Sequence, residues 1–215
     1  MLRTETVEGH TLVLLKKLMR DEQLSDFILA GGTNLALQIG HRKSIDLDLF
    51  TNKPFETAKL IRHLQDLYGF RVRTKKERNT ILGDIAGVRI DLIAHIYPLL
   101  QAPLVEDDVR MYSLPDIAAM KLSAICDNGS RLKDFVDIAY LSTKMSLSEM
   151  MTIYTQKYPN VFSLSVVRAL IYFEEVDFST PIDLCNGKKF DWKKIEHRIR
   201  EMIKYETKIF ETTPI

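Results

Sequence analysis

Residues 44–50 carry the feature that most constrains this chain: Ile45, Asp46, Leu47, Asp48 and Leu49 alternate apolar with acidic side chains, ending at Phe50. Alternation at period two is the signature of a β-strand, whose successive side chains point to opposite faces. Such a strand buries Ile45, Leu47 and Leu49 in a core and turns Asp46 and Asp48 together to the other side. The segment just upstream fits this frame. Phe27–Ala30 is a short apolar run ending at Gly31 and Gly32, and Thr33–Ile39 has helical spacing closed by Gly40. The order is strand, glycine turn, helix, acidic strand.

The rest of the first half continues as mixed structure. Residues 5–22 and Phe55–Tyr68 have helical spacing, and Phe70–Lys75, Thr80–Ala86 and Gly87–Ala94 read as strands. A short extended piece follows near Val105–Tyr112. After Pro115 the pattern becomes helical: Asp116–Cys126, Leu132–Thr143, Leu147–Lys157, Leu164–Phe173 and a charged helix from Asp191 to Phe210. Ser113 and Ser146 stand where helix caps belong. The expected fold class is therefore α+β: a mixed sheet with flanking helices over residues 1–112, then a helical half over residues 113–215.

Asp91 sits between Ile90 and Leu92, the same apolar, acidic, apolar setting as Asp46 and Asp48. If the two strands are neighbours, three carboxylates converge. Two unit charges about 4 Å apart repel by roughly 4 kcal/mol at an effective dielectric near 20. Such a group either takes up protons or binds a cation. Oxygen-only ligation favours Mg²⁺ or Mn²⁺, completed by substrate phosphates. Taken alone, an Asp-x-Asp strand is more often a solvent face. The glycine turn supplies a phosphate-binding element, because glycine lets a phosphate approach the backbone and helix N-terminal amides favour anions.

The segment 31–50 resembles the signature of the polymerase-β-like nucleotidyltransferase superfamily, and within it the AbiEii/AbiGii group of toxin-type nucleotidyltransferases. The likeness is carried by Gly31, Gly32, Thr33, Leu35, Ala36 and Leu37, then Arg42, Ser44, Asp46, Asp48, Leu49 and Phe50. A second block, with Lys121 on one helix and Arg131, Lys133, Asp134 and Asp137 on the next, is similar to the same group. The resemblance implies transfer of a nucleotidyl group from a nucleoside triphosphate (NTP) to an acceptor hydroxyl; the expected acceptor is RNA, tRNA first, with a protein hydroxyl second. It also implies a toxin with a cognate antitoxin; a cytoplasmic location is expected separately, because the N-terminal stretch makes a poor signal peptide and no apolar run is long enough to span a bilayer. By the same likeness Gly31, Gly32 and Thr33 cradle the triphosphate, with Arg42 and Ser44 in the same motif. Asp46, Asp48 and Asp91 hold metal, Lys121 neutralises phosphate charge, and Asp134 or Asp137 completes the site from the helical half. The rival expectation is a catalytically silent nucleotide-binding or regulatory module.

Read without the resemblance, the helical block is ordinary. Lys121 fits a surface lysine, and Arg131, Lys133, Asp134 and Asp137 stand at intrahelical ion-pair spacing. Arg71, Arg73 and Lys75 alternate along one strand face near Lys76 and Arg78, fitting either a charge-protected edge strand or a contact to RNA phosphates. Trp192, among Lys188, Lys189, Lys193 and Lys194, fits an anchor for the last helix better than a base-stacking platform. The net charge of +1 gives no overall polyanion bias. Cys126 and Cys185 lack the spacing of a zinc site or a disulfide framework, and no apolar run approaches the roughly 20 residues of a bilayer span.

Overall fold

The computed structural model describes residues 1–73 and 78–215. The chain divides into two compact units, Met1–Ser113 and Leu114–Ile215.

The first unit is built on a seven-stranded mixed sheet. Its strands are β1 (Ile28–Leu29), β2 (Leu47–Thr51), β3 (Arg71–Val72), β4 (Thr80–Ile85), β5 (Val88–Ala94), β6 (Leu104–Glu106) and β7 (Val109–Met111). They lie in the order β3-β4-β5-β2-β1-β7-β6. The pairs β2/β5 and β1/β7 are parallel, and the other neighbours are antiparallel. Three helices accompany the sheet: α1 (Gly9–Met19), α2 (Gly31–Ile39) and α3 (Thr57–Tyr68).

One face of the sheet is apolar. Leu47, Leu49, Ile81, Ile90 and Leu92 form a single buried core with Leu15 and Leu18 of α1 and Leu60, Ile61 and Leu64 of α3. Burying each such side chain contributes about 1.5–3 kcal/mol, so these strands are held to one orientation. Gly40 and Gly69 end α2 and α3 in the left-handed conformation, as their positions after the apolar periodicity predict.

Several local expectations shift. The acidic strand begins at Leu47 rather than Ser44, so Ile45 lies outside the ladder and is 55% exposed instead of facing the core. The piece near 105–112 is a hairpin, β6/β7, because Asp107 and Asp108 both take positive φ (57° and 66°) and fold the strand back on itself. The N-terminal helix is broken into a 3-10 turn at Thr4–Thr6 and α1. Lys75 and Lys76 of the basic stretch lie outside the described residues.

The second unit is helical: α4 (Leu114–Asp127), α5 (Leu132–Leu141), α6 (Leu147–Lys157), α7 (Ser163–Ile171) and α8 (Trp192–Lys204). Helix α4 begins directly after Ser113. Helix α6 opens with a full capping box, in which the Ser146 hydroxyl accepts from the Glu149 N–H and the Glu149 carboxylate accepts from the Ser146 N–H. Helix α8 stops at Lys204, short of the expected Phe210. Trp192 packs edge-on against Phe135, Phe173 and Phe178, which is the anchoring role. Lys157 and Asp116 form a fully buried ion pair at 2.7 Å between α6 and α4. Cys185 is buried and Cys126 is only half-buried; burial still pushes the Cys126 thiol up, away from the reactive thiolate.

Candidate active site

The parallel pairing of β2 with β5 sets Asp48 directly opposite Asp91, with Leu47 opposite Ile90 and Leu49 opposite Leu92. Register partners in a sheet share a face. The leucines and Ile90 fill the core, so both aspartates stand on the other face, half-buried. Asp46 precedes β2 and reaches the same face. Its carboxylate lies 3.9 Å from the guanidinium of Arg89, two residues before Asp91 on β5. The three acids predicted from alternation are thus on one face of adjacent segments.

Their surroundings are electrostatically specific. Burial raises the Asp91 carboxyl above the ordinary carboxylate range, the Asp46 charge pushes the same way, and Arg73 and Arg89 oppose it. Arg73 donates to Asp91 Oδ1 at 2.7 Å. Among the described residues no three His, Cys, Asp or Glu side chains stand close enough together to hold one ion. The acids still fit a hard divalent cation, since magnesium typically takes one or two carboxylates plus phosphate oxygens and water.

The glycine turn is packed against these groups. Gly31 has φ +65°, and a Cβ there would lie 1.9 Å from Asp48 Oδ2. A Cβ on Gly32 would lie 2.3 Å from Arg42 Nη2, and Arg42 is buried. The immediate reason for both glycines is therefore close approach by the Asp48 carboxylate and the Arg42 guanidinium. Thr33 does not cap α2, whose N-cap is Ala30. Its hydroxyl instead donates to Ser44 Oγ (2.8 Å) and contacts the Asp46 carbonyl, tying the first turn of α2 to the segment that presents the acids. Asn34 sits in the next position of that turn, fully buried, and donates to the carbonyls of Leu29 (2.7 Å) and Tyr112 (3.1 Å).

The helical unit holds its own charged cluster. Lys121 of α4 reaches both Asp134 Oδ1 (2.6 Å) and Asp137 Oδ2 (2.7 Å) of α5, and all three residues are buried. Asp134 Oδ2 lies 3.4 Å from Arg131 Nε and accepts no hydrogen bond. Lys121 is therefore not a surface lysine, and both aspartates, rather than one, engage it. A buried ammonium between two buried carboxylates is a costly arrangement, kept only where other interactions or a function hold it.

The comparisons with known proteins bear on these clusters. The family model of the nucleotidyl transferase AbiEii toxin of type IV TA systems matches residues 13–162. The chain belongs to the AbiEii toxin family of nucleotidyltransferases. The match spans the glycine turn, the acidic strand, Asp91 and the Lys121 cluster. A protein of Aquifex aeolicus (strain VF5), described as the uncharacterized protein aq_aa25, is 33% identical over 187 residues, covering 84% of this chain and 87% of the relative. Two crystal structures from Helicobacter pylori share the fold. One, of a candidate nucleotidyltransferase, aligns with a TM-score of 0.54 at 16% identity over 92% of this chain and 95% of that one. The other, JHP933, aligns with a TM-score of 0.50 at 16% identity over 93% and 92% of the two chains. Among the described residues no helix is long and apolar enough to cross a membrane.

Two arginines join the acids of this AbiEii-family chain. Arg89 stands two residues before Asp91, so period-two geometry alone places it on the acidic face. Spacing alone makes Arg73 only part of a basic strand, because its contact to Asp91 depends on strand order.

Proposed function

We propose that this AbiEii-family protein transfers a nucleoside monophosphate from an NTP to an acceptor hydroxyl on RNA, tRNA first, in a divalent-metal-dependent reaction, and that it acts as the toxin of a pair with a cognate antitoxin. The observation that carries the reading is the register of Asp48 beside Asp91, with Asp46 on the same face. Asp46 and Asp48 hold Mg²⁺ or Mn²⁺, with Asp91 adding its charge. When bound, the ion neutralises triphosphate charge and polarises phosphate oxygens.

The acceptor oxygen attacks the α-phosphorus, the bond to the bridging oxygen breaks, and pyrophosphate leaves. The hydroxyl proton goes to Asp91, whose burial makes it a stronger base than a free carboxylate. The Gly31 and Gly32 backbone binds the triphosphate, with Thr33, Arg42 and Ser44 bracing the turn. Lys121 supplies a cation for the phosphates, and Asp134 and Asp137 orient it.

The test is incubation of the purified protein with total RNA and each α-labelled NTP in the presence of Mg²⁺. A labelled band of tRNA size, lost in Asp48→Ala and on chelation of the metal, supports the reading. Tight NTP binding with no pyrophosphate release would mark a silent nucleotide-binding module instead.

A further inference from the structure

The acidic face of the sheet carries two rows of charge running across the strands. In the first, Arg71 of β3 pairs with Asp84 of β4 at 2.7 Å, Asp84 is the register partner of Arg89 on β5, and Arg89 lies 3.9 Å from Asp46. Positive and negative groups alternate there, two of each. The second row holds Arg73, then Leu82, then Asp91, then Asp48. It sets the Asp91 and Asp48 carboxylates side by side, with the Arg73 guanidinium committed to Asp91 Oδ1 at 2.7 Å. Arg73 is held in place by its own backbone, whose N–H donates to the Leu82 carbonyl at 2.8 Å. Its Nε also contacts the Gly83 carbonyl at 3.3 Å.

We propose that Arg73 is a built-in competitor for the divalent cation: it neutralises Asp91 in the metal-free protein and must release that carboxylate when the cation binds. The inference rests on the metal-binding reading above. A guanidinium and a divalent cation cannot both sit against one carboxylate face without strong repulsion, so binding of one weakens the other. The contact is one-third exposed at Arg73, so the arginine has water to move into when displaced. Released, its planar fork suits a phosphate, which a metal-bound nucleotide brings to the same face. Arg73 is thus a positioning residue that keeps Asp91 occupied until metal and nucleotide arrive together.

The test is Mn²⁺ binding to the full chain without nucleotide, followed by the electron paramagnetic resonance signal of free Mn²⁺ at fixed pH and ionic strength. Arg73→Gln is expected to tighten Mn²⁺ about tenfold, the effect of removing one nearby unit charge from a partly exposed site. Arg71→Gln removes the same charge two residues earlier, one row away, and is expected to change affinity less than about twofold. Arg73→Met, which keeps the aliphatic stem, serves as the second neutral variant if Arg73→Gln unfolds at lower temperature than the parent. Equal, small effects of the Arg73 and Arg71 variants would overturn the proposal. Should Mn²⁺ bind and be lost in Asp48→Asn while Arg73→Gln changes nothing, the metal site stands and only the competitor role falls. No Mn²⁺ bound by the parent, Arg73→Gln or Arg73→Met would bring down both.

Discussion

The carboxylate of Asp48 occupies the space that a side chain on residue 31 would need: a Cβ there would stand 1.9 Å from its Oδ2. Gly31 is also at φ +65°, where an L side chain costs about 1–2 kcal/mol. Gly31→Ala is therefore expected to lower stability by about 1–3 kcal/mol and, by driving Asp48 out of place, to reduce nucleotidyl transfer at least about tenfold. Gly87→Ala is the matched control, with φ +85° and nothing within 4 Å of the new Cβ. It should show the backbone cost and keep activity. Thermal unfolding and labelled-NTP transfer on both variants check this, and full activity in Gly31→Ala would refute the placement of Asp48.

Asp91 should trade stability for function. Burial, with help from Asp46, raises its carboxyl above the unfolded value despite Arg73 and Arg89. For such an acid the folded state binds the proton more tightly than the unfolded state. Stability is then greatest below the unfolded value and declines as pH rises through the folded one. At neutral pH the ionised group is a net penalty. Asp91→Asn is expected to melt at a higher temperature than the parent at pH 7, with the difference vanishing toward low pH, and to lose transfer activity. Melting curves across pH 3–8 measure this directly.

Lys121 separates a structural from a catalytic contribution. Removing one partner of a buried ion pair leaves uncompensated charge and costs about 3–5 kcal/mol. Lys121→Met takes the shared ammonium away from Asp134 and Asp137, and should destabilise the fold by about that amount. Adding Asp137→Asn should recover a measurable part of it. Denaturant unfolding of the two single variants and the double variant reads the coupling. If Lys121 also neutralises phosphate charge, the double variant recovers stability but not transfer.

A separate cluster in the first unit governs acid stability. Burial raises the Asp21 carboxyl, but hydrogen bonds from Tyr68 and His63, both 2.7 Å, and from the Gln23 N–H outweigh it and bring it below its ordinary value. The stabilisation from this acid is fully present above the unfolded carboxylate value and is lost as pH falls through the lowered folded one. Asp21→Asn should lower the melting temperature at pH 7 and flatten its fall between about pH 4 and pH 2. A variant with an unchanged acid limb would show that the contacts of Asp21 with α3 do not contribute.

Much of this protein could be read from short stretches of chain. The apolar positions of α3 and α6, the glycines that end α2 and α3, and the alternation over 47–51 depend on backbone geometry repeating within a few residues. Helix and strand identity therefore followed from local spacing, and the family likeness rested on two such short segments, 31–50 and 121–137. Ile45 departs from that pattern because where a ladder begins depends on the neighbouring strand. Only the tertiary structure decided which residues meet. It set β5 beside β2 so that Asp91 is level with Asp48, brought Arg73 to Asp91 and Lys121 to both Asp134 and Asp137, and filled the space over Gly31 with a carboxylate. These contacts join residues 13 or more positions apart. Their partners are chosen by how whole strands and helices bury their apolar faces, a property of the assembled core that no local window contains.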